Sequence, residues 1–168
     1  MKDRVKKLLE LNKERIEYLR ELSKGGIEGN FVICKNGEGS MIIVGEHDKV
    51  KTGTTFENFC RMMNSEIFID IHNHPSGIKM PTIADMVNVA QSSGPDALVC
   101  VVTDDDITCA KPEGEAVKFA NKLKGKSKFD ENFYKLYSEY AKSLSTYGWR
   151  WRSFDPVDKN VKILKFKL

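Results

Sequence analysis

The sequence predicts an α/β (α+β) layered domain, a central mixed β-sheet flanked by helices. Segments with apolar residues at three- and four-residue spacing alternate with short, β-branched apolar runs, the pattern of helices covering a sheet. The composition, 40% hydrophobic and 30% charged, is that of a globular chain and sets aside disordered and fibrous classes. At 168 residues the chain is long enough to bury one continuous core, so a single domain, 1–168, is expected.

Val5, Leu8, Leu9, Ile16, Leu19 and Leu22, with charged residues between them, predict one amphipathic helix from Lys2 to Ser23. Gly25 or Gly26 suits its left-handed C-cap. "NFVICKNGEGSMIIVGE" reads as a hairpin, two apolar runs around a glycine-containing turn, and a polar loop follows from Glu46 to Gly53. Phe56, Phe59, Cys60 and Met63 predict a helix from Thr55 to Asn64. "IFIDI" is a buried strand running into "HNHPSG", and a helix from Thr82 to about Ser92 leads to "ALVCVVT", the most continuous apolar run and a candidate central strand. "ITCAK" can return beside it. Two helical segments, "EGEAVKFANKLKGK" and "DENFYKLYSEYAKSL", and a strand-like "VKILKFKL" complete the chain.

No apolar run reaches membrane-spanning length, and the charged N-terminus lacks the apolar core of a signal peptide. A cytoplasmic location is the expectation. Cys34, Cys60, Cys100 and Cys109 form no C-x-x-C pair, which argues against a zinc ribbon or a thioredoxin-like redox site, and they read as reduced core thiols. A net charge of +3 is too small to indicate nucleic acid by itself.

The chemistry concentrates in "HNHPSGIKMPTIAD". Side chains alternate along a strand, so His72 and His74 face one side while Asn73 faces the other. The Pro75–Gly77 stretch forces a turn, and Asp85, eleven positions after His74, can fold back from the first turn of the next helix. Two nitrogens and one oxygen leave a fourth zinc position for water, as catalytic sites require. A plainer account also fits, with Thr82 and Asp85 as a capping box and the histidines as ordinary strand residues.

The stretch resembles the H-x-H-P-x(6)-[S/T]-x-x-D signature of JAMM/MPN+ (JAB domain) zinc metalloproteases, and "HNHPSG" is most similar to their RadC-like branch. The resemblance covers about 27–111 in layout, leaving a C-terminal extension of about 113–168 without a signature. It implies a cytidine-deaminase-like fold and a Zn2+ ion held by His72, His74 and Asp85. It also implies that Thr82, standing where serine is usual, donates to the oxyanion. A glutamate ahead of the first strand is the general base in such enzymes, and Glu28 occupies that place. Glu46 is the fallback; Glu38 falls in the hairpin turn. Ser76 is a candidate hydrogen-bonding partner of the ligands, Asp70 can equally orient a histidine or face water, and His47 reads as a loop residue.

The implied activity is hydrolysis of an amide or isopeptide bond, with a ubiquitin-like protein conjugate or a peptide as substrate. Alternatives are a DNA-associated RadC-like protein, a small-molecule amidase with the same zinc site, and a non-catalytic MPN scaffold. "YGWRWRSF" interleaves aromatics with Arg150 and Arg152, a pattern suited to nucleic acid, although a helix end followed by a strand is the plainer reading. The acidic run Asp104–Asp106 reads as an exposed turn.

Overall fold

A computed structural model describes residues 1–45, 54–146 and 154–168. Among these residues the chain is mixed α and β, with six helices and a six-stranded mixed sheet. The strands are β1 (Gly29–Cys34), β2 (Ile43–Val44), β3 (Ile67–Asn73), β4 (Leu98–Val102), β5 (Ile107–Pro112) and β6 (Val161–Phe166). They lie in the order β2-β1-β3-β4-β5-β6. No helix among the described residues is long and apolar enough to cross a membrane. The chain traces two compact units, one of Met1–Lys79, Cys100–Cys109 and Leu164–Leu168, the other of Met80–Val99 and Ala110–Ile163.

In the first unit, the long N-terminal helix expected from periodicity is two helices, α1 (Lys2–Leu11) and α2 (Lys13–Lys24). Asn12 interrupts them. Its buried amide donates to Leu8 O and accepts from Arg15 Nη1, competition with the backbone ladder that apolar spacing does not reveal. α2 ends in a Schellman arrangement: Gly26 at φ 72° donates to Ser23 O, and Ile27 N donates to Leu22 O. The cap turns the chain directly into β1.

β1 pairs antiparallel with both β2 and β3, with Asn30 opposite His72, Phe31 opposite Ile71 and Ile33 opposite Ile69. A Cβ on Gly29 would stand 2.7 Å from Leu22 Cδ1 and 2.9 Å from Leu19 Cδ2. Gly29, Phe31 and Ile33 therefore share the face covered by α2, and the paired Ile69 and Ile71 join them in the core. The opposite face of β3 carries Asp70 and His72. Helix α3 (Thr55–Arg61) packs on β1 and β3 and is shorter than expected, ending before Asn64, which takes φ 52°. Buried Arg20 donates to Thr103 O and Leu168 O at 2.8 Å each, tying α2 to a hairpin turn and to a residue just past β6.

The cysteines are not reduced thiols: Cys34 is bonded to Cys60 and Cys100 to Cys109. Both pairings are products of tertiary contact. Helix α3 lies on β1, and β4 and β5 are neighbours around the exposed turn that holds Asp104 and Asp105. The β4–β5 neighbourhood is the one expected for "ITCAK", whereas no sequence spacing places α3 on β1.

In the second unit, helices α4 (Ile83–Ser93), α5 (Ala116–Leu123) and α6 (Phe133–Leu144) pack on one another. Their apolar stripes bury Met86, Val87 and Ala90 from α4, Ala116, Ala120 and Leu123 from α5, and Leu136, Tyr140 and Leu144 from α6. Burial pushes the Tyr140 hydroxyl pKa upward, so this group stays neutral. The chain after α6 is anchored back on its end, with Asp158 N donating to Leu144 O and Asn160 Nδ2 to Ser143 O.

Candidate metal centre

β3 delivers the two histidines. It continues through Asn73, two residues past the apolar run, so His72 lies within the strand and His74 follows its end. The turn at Pro75–Gly77 is closed by Gly77 N donating to His74 O at 3.0 Å, and Gly77 adopts φ 87°, a left-handed conformation that glycine takes without a steric penalty. The chain then doubles back far enough for Ile78 O to meet His74 Nδ1 at 2.9 Å. A carbonyl oxygen only accepts, so His74 Nδ1 carries the proton and, in the neutral ring, Nε2 presents its lone pair.

His72 is buried and set in a similar way. Its Nδ1 lies 3.8 Å from Asp70 Oδ1, beyond a hydrogen bond but close enough for attraction, and Asp70 is itself held by Asn30 Nδ2 at 2.8 Å. The two Nε2 atoms lie 2.9 Å apart, within hydrogen-bond distance of each other. The motif thus gives the His74 ring an outward partner in the Ile78 carbonyl and brings the inner nitrogens of both rings together.

The start of α4 supplies the carboxylate. Thr82 is its N-cap: Thr82 Oγ1 accepts from Asp85 N at 3.3 Å, and Asp85 Oδ2 accepts from Thr82 N at 2.9 Å. The capping box is therefore real, and it fixes where the carboxylate points. A carboxylate has two oxygens and roughly four lone-pair sites, so accepting the Thr82 N–H leaves capacity for a cation. Residues 155–157 hold the entry to α4 through Ile83 N to Asp155 O at 3.0 Å, Val157 N to Pro81 O at 3.2 Å, and a bridge between Thr82 and Pro156. Nothing in the sequence after Glu113 announces this strap.

His72, His74 and Asp85 each offer one ligand atom, and these atoms all lie within 4.8 Å of one another. His72 is buried and the other two are half-buried. This set can hold a metal ion. The donor set of two neutral imidazole nitrogens and a carboxylate oxygen suits a borderline divalent ion better than a hard ion that demands oxygen alone. The acidic turn at Asp104–Asp106 joins no metal-binding group among the described residues.

Glu28 immediately precedes β1 and is not one of the clustered ligands. Its carbonyl accepts from Gly45 N at 2.8 Å, extending the β1–β2 ladder. Continuing the β1–β3 register places it opposite His74, on the face that carries both histidines. Ser76 is exposed in the turn. Beside the histidines stand Asp70, 3.8 Å from His72 Nδ1, and the Ile78 carbonyl, 2.9 Å from His74 Nδ1, and of these two only Asp70 was singled out in the sequence. Glu46, His47 and the aromatic-arginine run Tyr147–Ser153 lie outside the described residues. Comparison with protein-family models finds none that matches the chain, and no curated protein matches its sequence.

Proposed function

We propose that this protein is a zinc-dependent hydrolase of the JAMM/MPN+ type, cleaving an amide or isopeptide bond with a metal-activated water. The observation that carries the reading is the convergence of His72 Nε2 and His74 Nε2 at 2.9 Å, with both Nδ1 atoms directed elsewhere and the Asp85 carboxylate close by. At 2.9 Å one imidazole can donate to the lone pair of the other, and the same two nitrogens, with the Asp85 carboxylate, are placed to ligate one cation instead. The ligand chemistry and the resemblance of "HNHPSGIKMPTIAD" to that family support zinc as the metal. The same resemblance is what suggests a cytidine-deaminase-like arrangement of the mixed α and β fold.

In this reading His72, His74 and Asp85 hold the ion. Bound zinc supplies a Lewis acid and lowers the pKa of a coordinated water to about 7. Glu28 takes a proton from the attacking water on its carboxylate and returns it to the departing amine nitrogen. Thr82 Oγ1 accepts from Asp85 N, which leaves its own hydroxyl proton to donate to the developing oxyanion. The proposed substrate is a ubiquitin-like protein conjugate, cut between its C-terminus and a lysine, or a related peptide.

Metal content decides the matter first. Protein purified without added metal is expected to carry near-stoichiometric zinc that His74→Ala loses. An isopeptide substrate should then be cleaved by the parent and spared by Glu28→Gln. Absence of zinc, with none taken up on titration, would sink the hydrolase reading.

A further inference from the structure

The residue between the two histidines has its own task on the opposite face of the strand. Asn73 is fully buried and its amide makes three hydrogen bonds: Oδ1 accepts from Gly29 N at 2.7 Å, and Nδ2 donates to Ile27 O at 2.9 Å and to Ser23 Oγ at 2.6 Å. Both Nδ2 hydrogens are thereby used. The Ile27 carbonyl belongs to the peptide unit before Glu28, and the Gly29 N–H to the peptide unit after it. One side chain thus fixes both peptide planes that flank the Glu28 Cα, and with them the direction in which its side chain leaves the backbone.

We propose that Asn73 is a positioning residue for Glu28, setting the base against the metal ligands; this rests on the reading of Glu28 as the general base. The coupling is short and covalent. Asn73 shares the backbone of His72 and His74, so the side chain that registers Glu28 is built into the segment that carries the ligands. Strand alternation makes both roles compatible, since the histidines face one side and Asn73 the other, toward α2. Helix α2 takes part through Ser23, and its Schellman cap delivers Ile27 and Glu28 to the clamp. An amide is the group that fits here. Aspartate, equal in shape, would oppose an acceptor to the Ile27 carbonyl and lose the donor to Ser23, and alanine would leave the Gly29 N–H and Ile27 carbonyl without this partner.

The test compares Asn73→Asp, Asn73→Ala and Glu28→Gln in the full chain, each with zinc bound. Zinc per chain, amide exchange at residues 27–30, and kcat and KM on an isopeptide substrate are read together. The expected result is near-parental zinc in Asn73→Asp, faster exchange of the Gly29 amide, and kcat lowered by about 10²-fold with little change in KM, the scale of an ångström misplacement of a catalytic group. Should Asn73→Ala not fold, Asn73→Asp carries the test, since it keeps the side-chain volume. Unaltered Gly29 exchange with kcat retained in Asn73→Asp, while Glu28→Gln abolishes turnover, overturns the clamp and leaves the base standing. A kcat loss that merely tracks lost zinc also overturns it. Full activity in Glu28→Gln overturns the base itself, and the proposal with it.

Discussion

Thr82 places two demands on one oxygen. As acceptor Oγ1 caps the Asp85 amide, and as donor it retains a proton for a developing charge. Substitution separates these duties. Thr82→Ser keeps both and should retain zinc, stability and most of kcat. Thr82→Val keeps the shape but removes the cap, costing about 1 kcal/mol of stability in denaturant unfolding. If the hydroxyl also serves the oxyanion, kcat falls by about 10²–10³-fold in the valine variant. A valine variant that loses stability but turns over normally would confine Thr82 to its capping role. The capping box and the ligand geometry were separable in sequence only as competing accounts, because a spacing does not say whether a carboxylate that caps a helix has capacity left for a metal.

At the scale of elements, the approach of α2 to the start of β1 positions Glu28. Leu19 and Leu22 fill the space above Gly29 that any side chain would claim. Gly29→Ala puts a methyl group into that contact, and overpacking of this kind costs about 1–3 kcal/mol. The expected outcome is a lowered midpoint of thermal unfolding, together with a fall in kcat larger than any change in zinc content, since the displaced backbone is the one attached to Glu28. An alanine variant with parental stability and activity would show that α2 yields without moving the base. Strand and helix positions were readable from periodicity because burial has a period of two or 3.6 residues. The break at Asn12 was not, since it comes from one buried amide bonding Leu8 O. The strap at Asp155–Val157 acts through backbone groups, which every residue possesses, so no side-chain pattern marks it.

For the whole molecule, the two disulfides bear on the environment in which the chain folds. Cys34–Cys60 spans 26 residues and Cys100–Cys109 spans nine. Disulfides are rare where glutathione and thioredoxin keep thiols reduced, with intracellular proteins of hyperthermophiles as the exception, so they sit uneasily with the expected cytoplasmic location. Alkylation of unfolded protein without reductant should label no cysteine, and after reduction all four. Replacing Cys34 and Cys60 together by alanine should lower unfolding free energy by about 2–4 kcal/mol. Labelling of all four without reduction would return the chain to the reduced state its sequence suggests.

The mixed α and β class and the trio His72, His74 and Asp85 were legible in local residue patterns. These follow from local rules: alternation along a strand, a Pro-Ser-Gly turn, and a cap at a fixed distance from the next helix. Tertiary structure decided the partners. Asn73 meets Ser23 and the peptides around Glu28 across 44 to 50 positions, and Cys34 finds Cys60 across 26. Asn30, opposite His72, reaches Asp70. Such contacts depend on which strand lies beside which and which helix covers them, and the free energy that selects them belongs to packing of the folded chain rather than to any window of its residues.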